Sequence, residues 1–177
     1  MANGAAMAYE SDTWSRFKTV GENWSSGDDS FLVQAAAKDK SLGIAAVPRA
    51  SVSTDAPNSW QSFFNQRVRW GAKAIAYPSV FAKIVALIVA IFNLSLVISL
   101  ITALVFSWVS LPFVIIIFLG KAVLDYPLLR RFATNTRQKS LMKGYLLSSL
   151  FYPFYISVSI IFIILPFKKR WKGREYN

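Results

Sequence analysis

Polar and apolar residues are sorted unevenly along this chain. Residues 1–78 mix the two as a soluble protein does, whereas residues 79–166 are dominated by Ile, Leu, Val, Phe and Ala. One helix needs about 20 apolar residues to cross the hydrocarbon layer. The run over 79–129 therefore holds two crossings, and the run over 144–166 a third. The turn between the first two is expected at Ser107–Pro112, with Trp108 at the interface. The expected spans are 79–106, 109–129 and 144–166, the last kinked at Pro153.

The polar part carries weaker periodicities. Residues 2–9 are small and apolar, and residues 10–25 alternate polar and aromatic up to a break at Gly21. Ser26-Gly27-Asp28-Asp29 opens a helix, its acids lying where the N-terminal partial charge favours them. Phe31, Leu32 and Ala35 give it an apolar face, and it is expected to end near Lys40, before Gly43. Residues 44–53 read as an extended segment, a strand with Pro48 at its edge. Thr54 to Pro57 look like a capped start for a second helix over 57–77. On it Trp60, Phe64 and Val68 share an arc of about 80°, while Gln66, Arg69, Trp70 and Lys73 share one of about 100° on the far side. That division predicts a helix lying in the membrane interface. A polar region of this size makes a marginal core, so it is expected to pack on something else.

Composition sharpens this picture. Of 177 residues 54% are hydrophobic, and the mean hydropathy is +0.39, high for a soluble domain. The net charge of +11 would suit a nucleic-acid partner, but its placement excludes that reading. Arg67, Arg69 and Lys73 precede the first apolar run. Arg130, Arg131, Arg137, Lys139 and Lys143 separate the second from the third, and Lys168, Lys169, Arg170, Lys172 and Arg174 follow the last. Bases at span ends are what the positive-inside bias and anionic headgroups select. Lys121 and Asp125 fall inside the second span at i,i+4 spacing; the expectation is that Lys121 snorkels near the span end and Asp125 sits among headgroups. Three full crossings put the basic tail opposite the basic 130–143 loop, against the bias. Either the tail is an exception or residues 144–166 re-enter; three crossings are preferred.

The chain has no His and no Cys, which excludes disulfides, thiolate chemistry and zinc sites built on those ligands. A general base must then be a carboxylate, a Lys or a Tyr. The N-terminus lacks the basic-then-apolar pattern of a signal peptide.

Two motifs carry chemistry: Ser26-Gly27-Asp28-Asp29, and Gln66-Arg67-Val68-Arg69-Trp70, a Q-x-x-R-W pattern on the amphipathic helix just ahead of the spans. Either alone is weak. Their order, with a separation of about forty residues and spans following, is more specific. Here the chain resembles the C-terminal part of membrane-bound family-2 inverting glycosyltransferases, the group of cellulose, hyaluronan and chitin synthases and ceramide glucosyltransferases. Asn3-Gly4-Ala5-Ala6-Met7-Ala8-Tyr9 is similar to the family's segment ahead of the acidic motif, and Trp171-Lys172-Gly173-Arg174 to a tail motif of bacterial members.

The resemblance implies an α-rich membrane protein. It would have a C-terminal remnant of a GT-A-type α/β catalytic domain over 1–56, the interfacial helix over 57–78, about three transmembrane helices over 79–166 and a basic tail over 167–177. It implies Asp29 as general base, taking the proton of an acceptor hydroxyl as that oxygen attacks the anomeric carbon, with Asp28 supporting at the helix start. Gln66 and Arg69 would meet the diphosphate leaving group, and Trp70 would stack on the acceptor sugar. The implied partners are a nucleotide sugar, a lipid or polysaccharide acceptor and membrane lipids, at a bacterial inner membrane with the catalytic part cytoplasmic. A divalent Mg or Mn ion is expected for the full-length enzyme, with ligands outside this chain: the Asp residues at 12, 28, 29, 39, 55 and 125 form no D-x-D. The nucleotide-binding half is thus expected to be missing, with Met1 marking a truncation, an internal start or a partial gene. The chain alone would be inactive. The alternative is a membrane anchor or scaffold without enzymatic activity.

Overall fold

The computed structural model describes residues 7–18, 20, 28–39, 43–45, 47, 52, 54–165, 169–171 and 174–176, with the backbone alone for Asp28 and for residues 169–176. The described residues are overwhelmingly helical. In chain order they form α1 (Ser11–Phe17), α2 (Asp28–Ala36), α3 (Trp60–Ala72) and a 3-10 turn (Lys73–Ala76). Then come α4 (Val80–Phe106), a 3-10 turn (Trp108–Ser110), α5 (Leu111–Asn135), a 3-10 stretch (Lys139–Gly144) and α6 (Tyr145–Ile164). Strands β1 (Lys169–Trp171) and β2 (Arg174–Tyr176) close a short antiparallel hairpin, with Trp171 opposite Arg174. Three helical stretches, Val80–Phe106, Trp108–Asn135 and Lys139–Ile164, are long and apolar enough to cross a membrane. The chain is an α-rich membrane protein. It divides into two compact units, residues 1–86 with 162–177, and residues 87–161.

In the first unit, α2 buries Phe31 and Leu32 as its sequence predicts, Phe31 at 1% exposure, but Ala36 rather than the expected Ala35, which is half-buried. The Phe31 ring meets Tyr77 edge-on at 6.0 Å. Two polar bonds repeat that contact along the helix. Gln34 Oε1 accepts from the Ser79 amide at 3.3 Å, and Lys38 Nζ donates to the Pro78 carbonyl at 2.5 Å. Residues 31, 34 and 38 are one stripe of a helix, so α2 is fastened lengthwise to the segment 77–79. Helix α1 was not expected from its alternating pattern; Arg16 near its end pairs with Asp39 just beyond α2.

Helix α3 starts later than the sequence suggests. Thr54 to Pro57 do not open it. Ser59 does, in an extended conformation, with its hydroxyl accepting from the Ser62 amide at 3.1 Å. A Ser at this position satisfies an amide that the helix itself leaves unpaired, so it wins over a start that puts Pro in the first turn. Ser59→Ala is expected to cost about 1 kcal/mol, read as a lower midpoint in thermal unfolding followed by circular dichroism. The far end is set by Pro78, which disfavours helical geometry at Tyr77; that residue sits at φ −54°, ψ 133°. Ser79 then caps α4, accepting from Ala82 N at 3.2 Å. At Gly71, a Cβ would stand 2.6 Å from Cδ1 of Ile163, in the last turn of α6, so glycine is what admits that side chain.

The expected strand over 44–53 lies largely outside the described residues; those described there, 44, 45, 47 and 52, carry no strand. Helix α2 ends at Ala36 rather than near Lys40, closing through turn bonds to Lys38 and Asp39.

The second unit packs α4, α5 and α6 around Leu96, Ala103, Val114 and Phe118. Helix α6 buries Ser149, Pro153 and Ser157, small residues four apart on one stripe. Ser157 reaches the backbone oxygen of Asn93 in α4 at 3.5 Å. Asn93 is 2% exposed; its amide nitrogen donates to Val89 O at 2.7 Å. Small residues at a membrane helix contact let backbones approach closely.

Lys121 and Asp125, expected near the end of the second span, are paired along α5. Helix α5 continues to Asn135 because no glycine or proline stops it after Pro127, so Asp125 lies about 15 Å short of its last residue. The two groups bind each other, Nζ to Oδ2 at 2.5 Å, with the ammonium 4.6 Å from the centre of the Tyr152 ring. Hydrophobicity marks where a span leaves lipid, not where its helix stops, and here the helix runs on past residue 129.

Candidate functional site

The acidic motif lies at the head of α2, whose first residue is Asp28. Asp29 is half-buried, and its Oδ1 accepts from the Ser30 amide at 2.6 Å. A carboxylate held by a helix-terminal amide sits in a favourable field. It is also restrained in orientation, as a base needs to be. Gly27, Ser26 and the segment Asn3–Ala6 lie outside the described residues.

A residue given no role by sequence reading stands beside Asp29. Tyr77 is buried against Phe31, and its phenol titrates above its ordinary value of 10.0, first because burial disfavours the phenolate and second because Asp29 adds negative charge nearby. Folding therefore favours the protonated phenol. Stability is at its full value below pH 10.0 and falls as pH rises above it, because the unfolded chain releases the proton first. Denaturant midpoints measured from pH 9 to about 11.5 should decline for the native chain and decline less for Tyr77→Phe. A Tyr preceding a Pro at the exit of the motif helix is the signal that could have drawn attention to it.

The Q-x-x-R-W helix places its residues less simply than a helical wheel does. Gln66 and Arg69 are half-buried, while Trp70 is 38% exposed. The Arg67 guanidinium lies between two rings of its own helix, 4.9 Å from the centre of Phe63 and 5.1 Å from that of Trp70. Trp70 therefore carries an intrahelical cation contact in addition to any partner it stacks on. Trp60, Phe63 and Phe64 cluster at the helix start, with ring centres 5.5 to 6.4 Å apart.

The expected apolar arc of Trp60, Phe64 and Val68 is not one environment: Val68 is buried, whereas Trp60 is 78% exposed. Lys73 was grouped with Arg69 and expected to meet lipid phosphates. Instead it is buried, at 7% exposure. It opens the 3-10 turn, directly after the buried Ala72.

What the structure brings together, then, is the acidic head of α2 and the segment leaving α3, seven residues after Trp70. Among the described residues no three His, Cys, Asp or Glu side chains gather as a metal site demands. Among those residues the donor set does not fit a divalent ion. No protein-family model, curated protein or solved structure matches this chain.

Proposed function

We propose that this chain is the membrane-side part of an inverting glycosyltransferase resembling the family-2 enzymes, passing a sugar from a nucleotide donor to a lipid or glycan acceptor. One observation carries the reading. The helix bearing Asp28 and Asp29 is clasped by Phe31, Gln34 and Lys38 to the segment that leaves the helix bearing Gln66, Arg69 and Trp70. The two motifs thus belong to one compact unit rather than to separate segments of the chain.

In this reading Asp29 takes the proton of the acceptor hydroxyl as that oxygen attacks the anomeric carbon from the face opposite the diphosphate. The new C–O bond forms as the bond to the diphosphate breaks. One displacement inverts the configuration and leaves no covalent intermediate. Gln66 and Arg69 stabilise the charge growing on the leaving diphosphate, which a guanidinium does with paired donors. Trp70 offers a ring face to the C–H face of the acceptor sugar, with Arg67 holding that ring from within the helix. A donor-binding segment bearing the metal ligands would come from elsewhere.

The test is to join this chain to a sugar-nucleotide-binding segment of such an enzyme in membranes, supply labelled donor and read the anomeric configuration of the product by NMR. Inverted product that Arg69→Ala reduces by about 10²-fold or more supports the reading. Absence of transfer under conditions where the parent enzyme is active would leave the chain as a basic membrane anchor.

A further inference from the structure

The last turns of α5 carry two adjacent rows of side chains, Tyr126, Arg130 and Thr134 in one and Pro127, Arg131 and Asn135 in the other. Together they line a groove of about 410 Å³. All six residues are exposed. The Arg130 guanidinium lies 5.9 Å from the centre of the Tyr126 ring, which holds it along the groove.

No acid of α5 neutralises this face. Asp125 is its one carboxylate and is bound to Lys121. At 100° per residue it lies about 140° around the helix from Arg130 and about 120° from Arg131. The depth also fits. From Leu111 to Arg130 the helix rises about 29 Å, against a hydrocarbon layer of about 30 Å. The exposed Trp108, a residue type that settles at interfaces, lies just ahead of Leu111 at the other end. The groove therefore falls at headgroup level.

We propose that this groove is a seat for one anionic glycerophospholipid. Two guanidiniums offer paired donors to the phosphodiester. The Thr134 hydroxyl and Asn135 amide can bond glycerol and ester oxygens, and the acyl chains run down the apolar side of α5. This is more than the general attraction of bases to an anionic surface, because Arg130 and Arg131 are joined by neutral donors and an aromatic wall in one concavity. It stands independently of the sugar-transfer reading.

The experiment is native mass spectrometry of the full chain released from detergent, titrated with phosphatidylglycerol, phosphatidylcholine or inorganic phosphate. One phosphatidylglycerol should bind per chain, at lower concentration than phosphatidylcholine. Arg130→Gln with Arg131→Gln should weaken it about 30-fold. Lys139→Gln with Lys143→Gln, the same loss of charge on the following loop, should change it less than about 3-fold. Thr134→Val with Asn135→Leu keeps every charge and should still weaken binding about 5-fold. Equal losses in the arginine and lysine pairs, or no loss in the uncharged pair, would reduce the site to surface charge and overturn the proposal. Displacement of the lipid by millimolar inorganic phosphate would also overturn it, by assigning the groove to free phosphate.

Discussion

Asp29→Asn is expected to lower sugar transfer about 10²-fold or more in the assembled enzyme, with the fold unchanged. The amide keeps the shape of the carboxylate. Its oxygen can still accept from the Ser30 amide, the bond that Asp29 makes at the head of α2. What it loses is the capacity to take a proton. The loss should therefore fall on kcat, with the KM for the donor nearly constant, because the attacking hydroxyl keeps its place but not its base. A second readout needs no turnover. Removing the negative charge next to Tyr77 removes one of the two causes that raise its titration, so the phenolate should appear at lower pH in a difference absorbance titration of the variant. If the absorbance shifts and transfer does not, Asp29 lies where the structure places it and serves only the helix start.

Asp125→Leu should cost about 3 kcal/mol of stability, the second large effect. The replacement leaves the Lys121 ammonium without its carboxylate, facing the Tyr152 ring among apolar helices. Removing both charges, Lys121→Met with Asp125→Leu, should restore most of the loss, because an intramembrane ion pair owes little of its worth to the charges themselves. Reversible unfolding in mixed micelles would measure the three variants. A cost below about 1 kcal/mol for the single change would mean that Lys121 reaches the headgroups by bending its stem.

Much of the fold was legible because its strongest signals are long. The three apolar runs predicted α4, α5 and α6 to within a few residues at most ends. Such runs leave no choice: in lipid a backbone must satisfy itself, and a helix does so. The short polar elements were harder. Thr54 to Pro57 and Ser59 both resemble helix starts, and the choice between them rests on one hydroxyl-to-amide bond. The i,i+4 spacing of Lys121 and Asp125 allowed the pair that forms, while the end of α5 at Asn135 was not legible because the helix outlasts its apolar stretch. In the candidate site, the acids at the head of α2 and the Q-x-x-R-W pattern could be read directly. Tyr77 could not, because its place beside Asp29 depends on how α2 lies against residues 77–79, a contact between partners forty or more residues apart in the chain. No periodicity encodes such a contact.

The bare Cα of Gly71 fixes sidedness. Gly71 belongs to α3, ahead of the first long helix, and the Ile163 side chain that fills the space beside it belongs to the last turn of α6. Atoms that close cannot emerge from different leaflets, and an odd number of full crossings would part them, so the contact favours re-entry of residues 144–166 over the three crossings preferred from the sequence. The chain contains no cysteine, so single thiols placed at Ser62 and Arg174 would each be unique. An impermeant maleimide should modify both from the same compartment and neither from the other.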